Sequence, residues 1–127
     1  MKKPVALAVL ALSAALGAKA QNFPSKNITI IVPFAAGGPT DRVARDLAES
    51  LRKPLGATIV IENAAGAGST IGTAKVARAA PDGHTLLLTH IGMASAPGLY
   101  RKLPYKPLED FEYLGMINDV PMTLISK

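Results

Sequence analysis

Twice within residues 28–80, a short apolar run breaks at a glycine-rich loop and passes directly into a segment with helical apolar spacing. That recurrence constrains the fold more than any other feature of the chain. The first run, residues 28–32, is interrupted only by Thr29, is rich in β-branched residues and is stopped by Pro33, so it reads as a strand buried on both faces. In residues 41–53, Val43, Ala44, Leu47, Ala48 and Leu51 lie at helical spacing, with Arg42, Arg45, Asp46, Glu49 and Arg52 on the other faces, and Pro54 and Gly56 end the helix. Residues 58–62 form the second strand, 63–69 the second glycine loop and 70–80 the second helix, with Ile71, Ala74, Val76 and Ala77 directed inward. Pro81, Asp82 and Gly83 turn the chain into a third strand, 85–89. Strand, helix, strand, helix, strand implies parallel pairing through right-handed crossovers, an α/β fold with a parallel sheet flanked by helices. Beyond His90 the pattern weakens: 94–100 is expected as a short helix, 103–107 as an extended linker, and 113–117 and 122–126 as two further strands.

The segment ahead of this pattern has the layout of an export signal. Lys2 and Lys3 start it, residues 4–17 are apolar apart from Ser13, and Ala18-Lys19-Ala20 presents small residues at the two places a signal peptidase reads. Residues 1–20 are therefore expected to leave after Ala20, with Gln21 as the new N-terminus. A spanning helix needs roughly 20 apolar residues, and this run is shorter, so the mature chain is expected outside the cytoplasm and not embedded in the membrane. Of the 14 basic residues three lie in the leader, which leaves 11 against 9 acidic ones, a net of +2 instead of +5. That balance, with dispersed basic residues and no Trp, excludes the electrostatic footprint of a nucleic-acid binder. The chain has no Cys, so disulfides, thiolate chemistry and Cys-based metal sites are excluded and an apolar core must carry the fold.

The chemistry concentrates in the two glycine loops. Phe34, Ala36, Gly37, Gly38, Thr40 and Asp41 carry the chain from the first strand into the first helix, with Thr40 as candidate N-cap. A helix start exposes unpaired N–H groups and the positive end of a dipole, which favour a carboxylate or phosphate; the same residues would also make a plain tight turn. Gly66, Gly68, Ser69 and Thr70 form the second loop, where the hydroxyls can cap the helix or donate to ligand oxygens. Loops at the carboxyl ends of parallel strands gather on one edge, so both would face one cleft, with Thr89 at the end of the third strand and His90 just past it on the same edge. The spacing GxGxxxG is not a dinucleotide fingerprint, and no Walker lysine, HExxH or GxSxG pattern is present. No catalytic residue, metal ligand or cofactor is assigned. Asp41, in the first helical turn, is expected to stabilise the dipole more than to act as a base, and His84 to be a solvated neighbour of Asp82.

These residues carry a family resemblance. Ile30-Ile31-Val32-Pro33-Phe34, Ala36-Gly37-Gly38-Pro39-Thr40-Asp41, Ala44-Arg45, Glu62-Asn63, Gly66-Ala67-Gly68, Val76-Ala77, the run Pro81-Asp82-Gly83-His84-Thr85-Leu86-Leu87, Leu99-Tyr100, Leu103-Pro104-Tyr105 and Asp110-Phe111 resemble, in order and spacing, the Bug family of solute-binding receptors that serve tripartite tricarboxylate transporters. Ala64 departs from it, where many members carry a basic residue, and so does Ala96, where an Asn often precedes the proline. The resemblance implies a two-lobed periplasmic binding protein of type II-like fold that closes over a small carboxylate and passes it to membrane permease subunits. It implies that the loops of residues 34–41 and 66–70 line one cleft, that there is no catalytic step, and that the receptor acts as a monomer. On this reading residues 21–117 are part of a first lobe and 118–127 the crossover strand toward a second lobe, so that the chain is an N-terminal fragment. The alternatives are a small exported α/β enzyme acting on a phosphorylated or nucleotide substrate, and a truncated product without function.

Overall fold

Alternate β1 residues (Ile28–Val32) are buried toward opposite sides, as a strand covered on both faces requires. A computed structural model describes residues 22–119 of the chain. Ile28, Ile30 and Val32 join Ala44 and Ala48 of helix α1 (Pro39–Leu55), together with Ile59 and Leu88, in the main core, while Ile31 is equally buried outside that cluster. Strand β2 (Ile59–Asn63) and strand β3 (Thr85–Leu87) flank β1 in the order β2-β1-β3, both parallel to it. Val32 lies opposite Asn63, and Ile31 opposite Leu87, so all three strands end at one edge. Helix α2 (Thr70–Ala77) connects β2 to β3 and packs on β1 and β3, and helix α3 (Gly92–Leu99) follows.

The connection from β1 to β2 runs to one side of the central strand and that from β2 to β3 returns across it. This reversal makes the carboxyl end of β1, between the loops that follow β1 and β3, the crevice where open parallel sheets hold ligands.

Several expectations need correction. Thr40 is not the N-cap of α1. Pro39 takes the first helical position, where its fixed φ fits and its missing N–H costs nothing, so the cap falls on Gly38 and has no side-chain hydrogen bond. Ile71 is 56% exposed, because α2 faces the sheet through Gly72, Thr73 and Ala74. Small residues there let the helix approach closely, which a search for large apolar side chains overlooks. His84 is buried, with 6% exposure. Its Nε2 accepts the Ser25 N–H at 3.1 Å and its ring tilts against Phe23 at 4.9 Å, which ties residues 23–26 to the turn before β3. Residues 113–117 form no strand: they are exposed and no described strand pairs with them. The proposed leader, the strand at 122–126 and most of the crossover at 118–127 lie outside the described residues.

Candidate functional site

Three loops leave the common edge: residues 33–38 after β1, 64–69 after β2 and 88–91 after β3. The first is held from behind. Asp41, 1% exposed, accepts the Gly37 N–H at 2.8 Å and the Arg45 Nε–H at 2.9 Å through Oδ2. Through Oδ1 it accepts Arg45 Nη2 at 3.1 Å and Asn63 Nδ2 at 3.0 Å. Asn63 Nδ2 also donates to the Phe34 carbonyl at 3.1 Å, so the end of β2 is bonded to the root of the first loop. The Arg45 guanidinium, then the Gly37 amide and the Asn63 amide, hold the Asp41 carboxyl well below the usual carboxylate range.

This arrangement changes the role expected for three residues. The Asp41 carboxylate faces the protein and organises the loop, with both oxygens accepting hydrogen bonds from within it. The Gly37 N–H is committed to Asp41, and the Gly38 N–H donates to the Ala35 carbonyl at 3.3 Å. Gly37, with φ of 79°, therefore contributes backbone shape. Donors for an anion remain in the first turn of α1, where the amides of Thr40 and Asp41 have no intrahelical acceptor. Arg45 and Asn63 were not among the candidate residues. Asp-to-Arg spacing of four residues on a helix was the available signal for Arg45, whereas Asn63 pairs with it only through the fold.

The second loop is a left-handed turn. Gly66, Ala67, Gly68 and Ser69 have φ of 134°, 46°, 58° and 79°. The Thr70 hydroxyl donates to the Ala67 carbonyl at 2.9 Å and the Thr73 hydroxyl to the Ser69 carbonyl at 2.9 Å. The Thr70 hydroxyl thus braces the turn in this structure. Ser69 differs: it is 2% exposed, caps α2 with no side-chain hydrogen bond, and its Oγ has no partner among the described residues. The Thr89 Oγ1 is likewise buried and unpartnered.

The third loop joins the other two. The His90 ring stacks on Phe34 with centroids 4.2 Å apart and planes at 15°. Its Nδ1 accepts the Gly92 N–H at 3.2 Å, which in the neutral ring leaves the proton on Nε2. A Cβ on Gly92 would lie 3.9 Å from Ser69 Oγ, so the third loop packs against Phe34 of the first and Ser69 of the second. The edge therefore carries helix-start amides and an imidazole N–H, with two buried, unpartnered hydroxyls in its loops and the cation Arg45 bonded to Asp41. Such a set of neutral donors suits an oxyanion. Among the described residues no three His, Asp or Glu side chains converge as a metal site would require, and no helix is long and apolar enough to cross a membrane.

The family model for the tripartite tricarboxylate transporter family receptor matches residues 43–127. A UPF0065 protein from Agrobacterium vitis, in the TAR-I ttuE-ttuC' intergenic region, is 52% identical over 111 residues, covering 87% of this chain and 32% of that protein. The periplasmic binding protein BugD superposes with a TM-score of 0.69 at 57% identity, over 71% of this chain and 30% of that one. MatC from Rhodopseudomonas palustris with bound malate superposes with a TM-score of 0.67 at 50% identity, over 70% of this chain and 31% of that one. The chain spans about a third of the length of the curated relatives it matches. By the family match and the structural likeness together, the chain belongs to the tripartite tricarboxylate transporter receptor family.

Proposed function

We propose that the chain forms the first-lobe side of a solute-binding cleft that takes a small carboxylate in the periplasm and presents it to membrane permease subunits. One observation carries this reading: the Ser69 and Thr89 hydroxyls, both buried and unpartnered, stand on the loops that leave the carboxyl edge of the sheet. A buried hydroxyl without a partner costs about 1–3 kcal/mol, and an incoming carboxylate oxygen would relieve it. In this reading the Thr40 and Asp41 amides, the Ser69 and Thr89 hydroxyls and the His90 Nε2–H meet the ligand, while Phe34, Ala36, Gly37, Gly38, Gly66 and Gly68 shape the wall. Malate bound to a relative at 50% identity supports the ligand class. The receptor works as a monomer, without a catalytic step, and residues 21–117 contribute to one lobe of a two-lobed protein.

Titration of the isotope-labelled chain of residues 21–127 with malate, succinate, citrate and glutamate, followed by amide NMR, tests the site. Shifts should concentrate on Thr40, Asp41, Ser69 and His90, with millimolar affinity because a second lobe supplies much of such a site. Amides that stay unmoved by all four would refute the reading. Stronger shifts from phosphate than from any carboxylate would favour the enzyme acting on phosphorylated substrates. Export is tested separately: the intact mass of the secreted protein should begin at Gln21, and a mass that retains residues 1–20 would exclude cleavage after Ala20.

A further inference from the structure

Tyr100 belongs to none of the three loops, yet its hydroxyl donates to the Ala67 carbonyl at 3.2 Å, across 33 residues of sequence. It is 37% exposed, just beyond α3, and its own amide is bonded to the Ala96 carbonyl at 2.9 Å. Met93 and Ala96 of α3 are buried, so the ring is carried by an anchored helix. Gly68 lies directly beneath it: a Cβ there would run into the Tyr100 hydroxyl oxygen and stand 3.3 Å from Cζ.

The segment under the ring resists its own conformation. Four successive residues have φ in the left-handed region, and two of them, Ala67 and Ser69, lack glycine's freedom there. Such a turn persists only when its surroundings over-determine it. The Thr70 and Thr73 hydroxyls brace it from the helix that follows. Tyr100 braces it from outside, and it does so at the residue two before the free Ser69 hydroxyl.

We infer that Tyr100 is a positioning residue for the cleft, holding the left-handed turn of residues 66–69 so that the unpaired Ser69 hydroxyl stays at the carboxyl edge. The inference rests on the ligand reading of that edge given above. Tyr100 acts through Ser69.

Tyr100→Phe keeps the ring and removes only the bond to Ala67. In the labelled 21–127 chain, Ala67 and Ser69 should lose the strong intraresidue amide-to-Hα NOE that marks positive φ. Amide exchange over residues 66–70 should rise about fivefold, the worth of one hydrogen bond, with the remaining spectrum unchanged. Gly68→Ala supplies a second measure. Its Cβ meets the tyrosine hydroxyl, so it should disturb the wild-type turn more than the turn already carrying Tyr100→Phe. Retained NOEs and exchange rates in Tyr100→Phe, or an equal effect of Gly68→Ala in both backgrounds, would overturn the inference. Malate keeps the two readings apart: wild-type amides that ignore it remove the ligand and with it the positioning role, while the NOEs still decide whether Tyr100 holds the turn.

Discussion

Asp41→Ala should lower the melting temperature by about 10 °C or more and release the loop after β1. The side chain accepts four hydrogen bonds, from the Gly37 amide, twice from Arg45 and from Asn63, and it is almost wholly buried. Removing it leaves unequal orphans. Arg45 has a side chain 54% exposed and can turn to water, so its loss is small. The Gly37 N–H and the Asn63 amide are part-buried and lose an ionised acceptor, and they account for most of the cost. Asp41→Asn should fall between wild type and Asp41→Ala, because its NH2 confronts donors on every side. Arg45→Ala should cost about 4 °C or less. Thermal denaturation by circular dichroism orders the three, and an Arg45→Ala loss as large as that of Asp41→Ala would show that the ion pair, not the amide contacts, supports the loop.

The same carboxylate sets a pH dependence. Its folded pKa lies below the unfolded value of about 4, so its contribution is complete above pH 4 and is lost as pH falls toward the folded value. The gap between wild type and Asp41→Ala should therefore be constant from pH 7 to about 5 and narrow below about 4. Asp82 acts with the same sign. The Lys26 ammonium and then the His84 amide bring its carboxyl down to about 2. Its Lys26 pair is exposed, so its share should shrink in added salt while that of buried Asp41 persists. A gap that stays unchanged down to pH 2 would contradict the role given to Asp41.

What could be read from the residues alone followed the range of the interaction. β1 was legible because burial on both faces leaves a local signature, an unbroken β-branched run, and the parallel order followed from the alternation of elements. The shared edge of the glycine loops was legible for the same reason. Asn63 and Tyr100 stayed hidden as parts of the site because each acts across the fold, Asn63 on a loop 29 residues away and Tyr100 on one 33 away, whereas Arg45 left a local signal, its spacing of four residues from Asp41 on the helix. Thr40 misled for a local reason: a hydroxyl beside a helix start suits a cap, a ligand donor or a turn brace, and the helix began one residue earlier, at Pro39. His84 is the expected neighbour of Asp82, but it is buried and not solvated because the Ser25 amide, 59 residues away in sequence, and the Phe23 ring cover it. Residues 113–117 have strand-like composition, but a strand exists only where another pairs with it.

Gly72→Ala should be the most damaging of the conservative glycine substitutions, because both glycine loops take their footing at this position. The added Cβ would lie 2.7 Å from the Ala64 carbonyl oxygen, 2.8 Å from Pro33 Cβ and 3.0 Å from Pro33 Cα. Pro33 opens the first loop and Ala64 the second, and the obstructing atoms are backbone or a rigid ring that no rotamer change can move. Helix propensity alone would favour Ala over Gly by about 1 kcal/mol, while overpacking against fixed neighbours costs about 1–3 kcal/mol or more. Here the steric term wins, since relief requires α2 to lift from β1 and separate the two loops. Gly98→Ala makes the control: Gly98 lies in α3 with open space around its missing Cβ, so propensity should win and stability should hold or rise by up to about 1 kcal/mol. Denaturant melts of the two variants should thus move in opposite directions, and in Gly72→Ala the amide shifts should spread from α2 into residues 33–38 and 64–69. A Gly72→Ala chain as stable as wild type would mean that α2 has room to spare against β1, and that the spacing of the two loops is set elsewhere.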